Sequence, residues 1–468
     1  MRLAELLDPY ALTLRLTNAN SPWLAKLFGG RPELANFGHP VHDEIFSEVE
    51  AWRACWMKGS ETNEFKRLTS YALAAGRCRD ELLRRQMGAG YVRFERVFFV
   101  GVSLLTAVLV AANTGFSILR RSRRGKVRAE VVCFPANRTV KATAAKLMSD
   151  ADILHLSKFG YYLSWDALRF LVVTLARFPR LLANPRLTSS FLRLLAQYSH
   201  VVVHHHPKVI IGYFDGTSSV SLLTAYLRRQ QIAHYNVMHG EVFYSTDHST
   251  YVEVDRFYVW GQYYKEILLR QRCPAPQFRL LASPALAELF NRHRPRNQPR
   301  ERRLLLLHEP YLELSPRVYQ GMLHLLSSLD ESWEVTVRFH PAFRGNIDEF
   351  VAALRARLPA CIQSRPITVE SPFEITPPET LVRHRVVVSC VSTMLLEGWL
   401  AGCKSIYFSG FLRDELFHER YGSSKNVLIL SPETPTEVLR DFLDTPAILD
   451  ASETKRANHV VNVCAATE

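Results

Sequence analysis

The sequence predicts an α/β protein with two doubly wound parallel sheets behind a helical N-terminal extension. After residue 127, short apolar runs alternate with amphipathic segments of about a dozen residues, which is typical of parallel strands joined by crossover helices. This pattern occurs twice, on either side of the polar, Arg- and Pro-rich stretch 291–303. The length of 468 residues also exceeds what one hydrophobic core usually serves.

The two series define the expected domains. Residues 129–290 are predicted to form an N-terminal Rossmann-type acceptor domain and 304–450 a C-terminal one for a nucleotide-sugar, with 291–303 as the linker and 451–468 as a C-terminal tail. We expect the two domains to face a cleft, because doubly wound sheets bind ligands where the carboxyl ends of their strands meet.

The region before the first strand divides in two. Residues 1–96 are predicted to be a polar helical extension, and 97–128 an apolar segment followed by a basic run. The uncharged stretch 97–119 has about the length needed to span a bilayer. A span would carry the charged extension across the membrane, so shallow or re-entrant insertion is an alternative, as is a buried helix of a soluble layer. We expect contact with an anionic membrane surface.

Composition excludes several function classes. The formal net charge of +13 favours anionic partners, but no aromatic-interleaved basic groove, zinc-finger spacing or RNP-like string indicates nucleic acid binding. The eight cysteines form no CxxC pair, which argues against a disulfide framework and a zinc site and favours a reducing compartment.

Two loop motifs follow strands of the first series. In "YFDGTSS", Asp215 follows an apolar strand and could take a proton from a hydroxyl, while Gly216 and Thr217 form the turn into the next helix. In "MHGEVF", His239 could serve as a base or donate to a phosphate, and Gly240 lets the backbone approach a ligand. The structural alternatives are a helix cap or turn for the aspartate and a loop histidine.

A third motif, "VRFHP", ends a strand of the second series. The guanidinium of Arg338 and the imidazole of His340 are suited to hold a diphosphate or nucleotide leaving group as it gains charge. Pro341 fixes the turn that follows. The alternative is a satisfied loop histidine.

The fourth motif lies in "SCVSTMLLEGWLAG". Ser392 and Thr393 open a helix whose N-terminus attracts phosphate, and Glu397, one turn further on, could accept hydrogen bonds from a ribose diol. A hydroxyl pair that only caps the helix is the alternative.

In this order, Asp-Gly, His-Gly, His-Pro and Ser-Thr followed by Glu resemble the GT-B glycosyltransferases of bacterial surface polysaccharide synthesis. The nearest groups are the sialyl- and polysialyltransferases, the capsule Kdo transferases and the CDP-glycerol polyol-phosphate transferases. The resemblance covers about 130–450. One departure is Phe214, which stands where the sialyltransferases usually carry an acidic residue before Asp215.

The resemblance implies roles for individual residues. Asp215 would be the general base, and His239 a base or donor-side residue. The implied donor contacts are His340, Ser392, Thr393 and Glu397.

The expected function is an inverting, metal-independent glycosyltransferase without a cofactor, at the cytoplasmic face of a bacterial inner membrane, attached peripherally or monotopically. It would move a sugar from a nucleotide donor, with a CMP-linked donor favoured, to a surface glycan or lipid-linked acceptor. No DxD-like dyad follows a strand, and cationic groups can neutralise the same charge as a metal. The alternatives are a polyol-phosphate transferase and a non-catalytic membrane-attached scaffold of a polysaccharide assembly complex.

Overall fold

A computed structural model describes most of residues 39–463. The positions outside the description are 1–38, 121–127, 136–137, 157–159, 214–217, 239, 243, 246–248, 294–299, 309–315, 341–346, 358–365, 391, 410–413, 423, 449 and 464–468. The described chain forms two compact units. The first comprises His39–Trp260 and Tyr264–Leu280, and the second comprises Gly261–Tyr263 and 281–463.

Three helices precede the first sheet: α1 (Val41–Met57), α2 (Glu64–Met87) and α3 (Ala89–Arg120). Asn63 begins α2 by accepting a hydrogen bond from the Lys66 N–H, and α2 ends at Gly88, whose φ of 85° favours glycine. The helical extension is therefore confirmed for the described residues. Its predicted limit at 96 falls inside α3, which is continuous and carries the apolar stretch within it.

The first unit contains a six-stranded parallel sheet ordered β2-β1-β3-β4-β5-β6. Its strands are β1 (Val131–Cys133), β2 (Ile153–His155), β3 (Val209–Gly212), β4 (Ala233–Val237), β5 (Arg256–Val259) and β6 (Phe278–Leu280). The helices between them are α4 (Arg138–Leu147), α5 (Trp165–Arg177), α6 (Pro185–His205), α7 (Val220–Arg229) and α8 (Gln262–Arg270).

The second unit contains another six-stranded parallel sheet, ordered β12-β11-β10-β7-β8-β9. Its strands are β7 (Arg303–His308), β8 (Glu334–Phe339), β9 (Ile367–Glu370), β10 (Val386–Ser389), β11 (Lys404–Phe408) and β12 (Val427–Leu430). Its helices are α9 (Pro284–His293), α10 (Pro316–Ser328), α11 (Ile347–Arg357), α12 (Pro377–Arg383), α13 (Thr393–Leu400), α14 (Asp414–Tyr421), α15 (Thr436–Asp444) and α16 (Ala451–Val461).

The strand order reverses once in each sheet. In the first sheet the reversal lies between β1 and β3, and in the second between β7 and β10. At such a point the two crossovers lead away in opposite directions and leave a crevice outside the carboxyl ends of the strands. The fold class predicted from the sequence, two doubly wound parallel sheets behind a helical extension, is confirmed.

The predicted C-terminal tail needs correction, because residues 451–461 form the packed helix α16. The Trp399 indole N–H donates to Glu453 Oε2 at 2.9 Å in the protein interior. A Cβ on Gly261 would lie 2.2 Å from the Val460 carbonyl oxygen, so only glycine allows this approach. Composition does not predict this role, since a short polar helix is recognised by its contacts more than by its residue types.

The predicted linker 291–303 also needs correction, because the division between the units falls after Leu280, α9 extends to His293 within the second unit and Arg300 is bound there as well. The Arg300 guanidinium donates to the carbonyl oxygens of Leu381 and His384, each at 3.0 Å, and to the carbonyl oxygen of Ala401. These carbonyls lie at the C-terminal ends of α12 and α13, where a cation complements the helix dipole.

The first prediction concerns the acid stability of the first unit. His234 in β4 is fully buried, with Nδ1 2.8 Å from Thr224 Oγ1, and burial lowers its pKa to about 3. The unfolded chain, with a histidine pKa near 6.5, therefore binds more protons at mildly acidic pH, so stability falls with pH. We expect this residue alone to cost about 3 kcal/mol between about pH 6.5 and pH 4.

The measurement is urea unfolding as a function of pH for wild type and His234→Gln. The variant should show a flatter dependence, whereas His418→Gln, which replaces an exposed histidine of α14, should keep the wild-type slope. An unchanged slope in His234→Gln would assign the acid sensitivity to other groups.

Candidate active site

The candidate site is built around the end of β7, at the reversal point of the second sheet. His308 is the last residue of β7 and pairs in register with Phe339 of β8. The His340 N–H donates to the His308 carbonyl oxygen at 3.1 Å, which extends the pairing by one step. His340 is therefore held directly beyond β8, beside the end of the strand at which the order reverses.

His340 is an exposed residue whose imidazole has a lowered pKa. Neighbouring atoms desolvate the ring, and this desolvation lowers the pKa of His340. The ring is consequently neutral at pH 7, with one nitrogen that donates and one that accepts. A neutral imidazole can donate a hydrogen bond to a phosphate oxygen.

On the other side of β7, α13 begins close to the carboxyl end of β10. The strand ends at Ser389, and Ser392 already caps the helix, its Oγ accepting from the Met394 N–H at 3.3 Å. The first turn of any α-helix presents N–H groups without partners inside the helix, together with the positive end of its dipole. Ser392 and Thr393, both half-buried, therefore stand at an N-terminus suited to bind an anion.

Gly398 sets how closely α13 lies against β10. A Cβ at this position would be 2.9 Å from Val387 Cγ2, a contact that real side chains avoid. The preceding residue, Glu397, is half-buried and lies one turn after Thr393 on the same side of the helix. A ligand bound at the N-terminus of α13 could therefore extend along this side toward the carboxylate.

The spacing of the strands limits what fits between these groups. Since β8 and β10 flank β7, their ends are separated by two strand spacings, about 10 Å. A phosphate or diphosphate with a hydrogen bond on either side spans a distance of this order.

Arg338 does not lie at this edge and is corrected to a structural residue. It is the last but one residue of β8 and faces α12, where only 5% of the residue is exposed. Its guanidinium forms an ion pair with Glu370 and donates to Thr380 Oγ1 at 3.0 Å and to the Ile375 carbonyl oxygen at 2.8 Å. Arg338 is held inside the packing by these partners, whereas His340, two residues further on, lies beyond the last strand residue and is exposed.

In the first unit, the structure describes the strand ends from which the predicted catalytic loops leave. β3, next to the reversal point, ends at Gly212, and the end of β4 is fixed by the Trp260 indole N–H, which donates to the Met238 carbonyl oxygen at 3.0 Å. Gly240 is described and half-buried. The residues Asp215, Gly216, Thr217, His239 and Pro341 lie outside the described part of the chain, and their predicted roles remain predictions.

Sequence reasoning missed His308 and Gly398. His308 is buried, with its ring centroid 4.7 Å from that of Phe339, and ends an apolar run in the same way as the residues that were singled out. A histidine directly after "LLLL" was the available signal. Nothing in the sequence around Gly398 identifies the close approach to Val387, which depends on tertiary packing.

A pocket of about 470 Å³ lies elsewhere in the first unit, between α2, α5 and α7. Arginines contribute much of its lining, but Arg228 is already paired with Asp255, with an Nε to Oδ1 distance of 2.7 Å. The last turn of α7 lines this pocket, whereas its first turn follows the carboxyl end of β3. The pocket is thus separate from the strand-end loops.

In the parts of the chain with a description, no three His, Cys, Asp or Glu side chains lie close enough to hold a metal ion.

Sequence comparison finds no matching protein-family model and no matching curated protein. Among solved structures, the chain is similar to UDP-GlcNAc 2-epimerase from Neisseria meningitidis bound to UDP-GlcNAc, with 12% identity, TM-score 0.44, and coverage of 72% of this chain and 98% of that one. The UDP-GlcNAc 2-epimerase of Methanocaldococcus jannaschii gives 10% identity, TM-score 0.43, and coverage of 72% and 98%.

A third similar structure is the wall teichoic acid polymerase TagF with CDPG. It shows 9% identity and a TM-score of 0.38, over 80% of this chain and 95% of that one. At such low identities and TM-scores, the likeness carries no inference about activity. The proposals below rest on the topology and side chains of this chain.

The second prediction tests the corrected role of Arg338. Removing one partner of a buried ion pair leaves an uncompensated charge, so Arg338→Ala and Glu370→Ala should each lower the free energy of unfolding by about 3–5 kcal/mol. Arg383→Ala, which removes an exposed arginine of α12, should change it little. Urea unfolding measures all three. A stable Glu370→Ala protein would contradict the structural role.

Proposed function

We propose that this chain is an inverting glycosyltransferase that moves a sugar from a nucleotide donor to a surface glycan or lipid-linked acceptor. The observation that supports it most is the arrangement around β7, where a neutral histidine and a helix N-terminus stand on opposite sides of the reversal point. Both are groups that bind phosphate, and the gap between them has the scale of a phosphate or diphosphate.

In this proposal the second unit binds the donor. His340 donates to one phosphate oxygen, and the N–H groups at the start of α13, with the Ser392 and Thr393 hydroxyls, bind the others. The sequence motif predicts that Pro341 belongs to the same donor-binding group. Glu397 accepts hydrogen bonds from the ribose hydroxyls one turn further along α13. These groups are aimed at an oxygen that gains negative charge as the sugar leaves, which is where electrostatic stabilisation lowers the barrier.

The first unit supplies the base. Asp215 or His239 takes the proton from the acceptor hydroxyl, and the hydroxyl oxygen attacks the anomeric carbon from the side opposite the phosphate. The bond to the phosphate breaks as the new glycosidic bond forms, so the configuration inverts and the nucleotide departs with the electron pair. The sequence motifs predict that Gly216 and Thr217 belong to the acceptor side and Gly240 to the donor side.

We propose a metal-independent reaction with a CMP-linked donor favoured, at the cytoplasmic face of a bacterial inner membrane. We expect no metal requirement because the positive end of the α13 dipole and a histidine donor can stabilise the leaving phosphate without a divalent ion. The same donor groups would also suit a polyol-phosphate transferase, in which the bond that breaks lies within the diphosphate. The two differ in the product, since only the second adds phosphorus to the acceptor.

The third prediction is the loss of donor binding in His340→Ala. One hydrogen bond to a charged group contributes about 1.5–3 kcal/mol, so the dissociation constant for the preferred nucleotide-sugar should rise about tenfold to a hundredfold. Binding is measured by calorimetry and by the rise in melting temperature with CMP-, UDP-, GDP- and CDP-linked donors. His418→Ala, an exposed histidine of the same unit, is the matched control.

Unchanged affinity and turnover in His340→Ala would remove this residue from the site. No response of the wild-type melting temperature to any of the four donor classes would contradict the transferase proposal and favour the scaffold alternative. Phosphorus in the product formed from a CDP-linked polyol would identify the polyol-phosphate reaction instead.

A further inference from the structure

The first unit exposes a long apolar surface on α3. Isolated exposed hydrophobic residues are ordinary, but a contiguous stripe is a mark of an interaction site. The stripe, termed here the α3 apolar face, consists of Phe94 (56% exposed), Val97 (74%), Val100 (48%), Leu104 (65%), Leu105 (38%) and Val108 (64%). The helix is long and apolar enough to cross a membrane, with a mean hydropathy of 2.1 in its most apolar window, of which 22% is buried.

The opposite side of α3 is fixed to the unit by buried charge near its N-terminal end. Glu95 is 4% exposed and accepts from Arg79 at 2.7 Å and from Arg186 at 3.0 Å. Freeing the helix from the unit would leave this carboxylate without the arginines that compensate it. Such a separation is strongly unfavourable.

Two further contacts hold α3 along its length. The Ser103 hydroxyl donates to the Pro185 carbonyl oxygen at 3.1 Å, and Thr114 Oγ1 accepts from the Leu163 N–H at 3.1 Å. From Glu95 to Thr114 the fixed side measures about 29 Å, at 1.5 Å per residue. A helix attached lengthwise to α6 and to the chain before α5 could cross a bilayer only by carrying the polar groups of this unit into the lipid.

The charges around the α3 apolar face indicate what covers it. No charged residue occurs between 97 and 119, whereas the exposed Arg93 and Arg96 precede this stretch and the basic run 120–128 follows it in sequence. Arg96 also forms an ion pair with Asp80, with a distance of 3.0 Å between the guanidinium nitrogen and the carboxylate oxygen. An apolar centre between positive ends complements a lipid surface with anionic head groups.

The start of α5 adds an aromatic residue next to the far end of α3. Leu163 contacts Thr114, and two residues later Trp165 is 77% exposed. Leu168 and Val172, three and seven residues after Trp165 and so on one side of α5, are also exposed. An exposed tryptophan prefers the boundary between head groups and acyl chains.

We propose that α3 lies in the plane of an anionic bilayer surface, with its apolar face inserted at the level of the acyl boundary, and that it does not cross the membrane. One side of the helix stays on the protein, as its hydrogen bonds require, and the other side enters the lipid. The partner we propose for the α3 apolar face is a lipid surface. Binding of a second copy of the chain or of another protein to this face would give a different result in the experiment below. It is independent of the transferase proposal.

The fourth prediction is lipid binding that depends on both apolar contact and charge. The full chain should float with vesicles of phosphatidylcholine and phosphatidylglycerol, bind vesicles of phosphatidylcholine alone more weakly, and lose affinity as salt rises. The double variant Leu104→Glu/Val108→Glu should bind the mixed vesicles at least about a hundredfold more weakly, because two apolar side chains no longer enter the lipid.

The matched control is the double variant Val382→Glu/Val438→Glu, which places the same two charges at exposed apolar positions of α12 and α15 in the second unit. It should bind vesicles as wild type does, and unchanged melting temperatures would show that the variants fold. Equal vesicle binding by wild type and the double variant would overturn the proposal. The proposal would also be overturned if the wild-type chain did not bind vesicles but formed dimers that the double variant did not form.

Depth measurements separate a helix in the plane from one that crosses. Val97→Cys and Val108→Cys, about 16 Å apart along α3, are each labelled with an environment-sensitive fluorophore in a background in which Cys55, Cys361 and Cys464 are replaced by Ser. Lipids brominated at a shallow position should quench both labels equally, and lipids brominated near the chain ends should quench neither well. Different depths for the two positions would overturn the in-plane orientation. The protein with these three replacements and no introduced cysteine serves as the blank.

Discussion

The candidate donor site depends on the backbone hydrogen bonding of one strand, β7. It pairs with β8 on one side and β10 on the other, and these ladders fix which residues emerge where the strands end. In a parallel sheet all carboxyl ends meet at one edge, and only where the order reverses do the following loops diverge and leave room for a ligand. His340 and Ser392 lie on either side of the end of β7 because of this pairing, although they are far apart in the chain.

The buried ion pair of Arg338 and Glu370 also favours the observed register of β8 in the sheet. The two residues are partners across β8 and β9, and Thr380 of α12 completes their hydrogen bonding. Desolvating two charges is costly, so the pair adds little stability relative to well-packed apolar residues. A slip of β8 by one residue, however, would move the guanidinium to the other face and leave a buried carboxylate unpaired. The pair thus penalises the arrangement in which His340 would no longer follow the end of the strand.

Much of the architecture followed from patterns that are local in sequence. Alternation of short apolar runs with amphipathic helices predicted both sheets, and helix capping at Ser392 follows from its position before an apolar run. Features that depend on tertiary contacts were beyond such patterns. Arg338 looked like a strand-end residue because the sequence does not mark where β8 ends relative to α12. The role of Gly398 depends on its distance to Val387, and α16 on its contacts with Trp399 and Gly261.

The ambiguity of α3 has the same origin. A hydropathy average treats all sides of a helix alike, so a span, a buried helix and a surface helix gave equivalent signals in 97–119. What separates them is the distribution of partners around the axis. Polar groups on one side, Glu95, Ser103 and Thr114, are bound by the unit, while the valines and leucines on the other side are 38% to 74% exposed. A helix divided in this way satisfies its polar side only at the protein and its apolar side only in lipid or a partner, which favours a position at the boundary between the two.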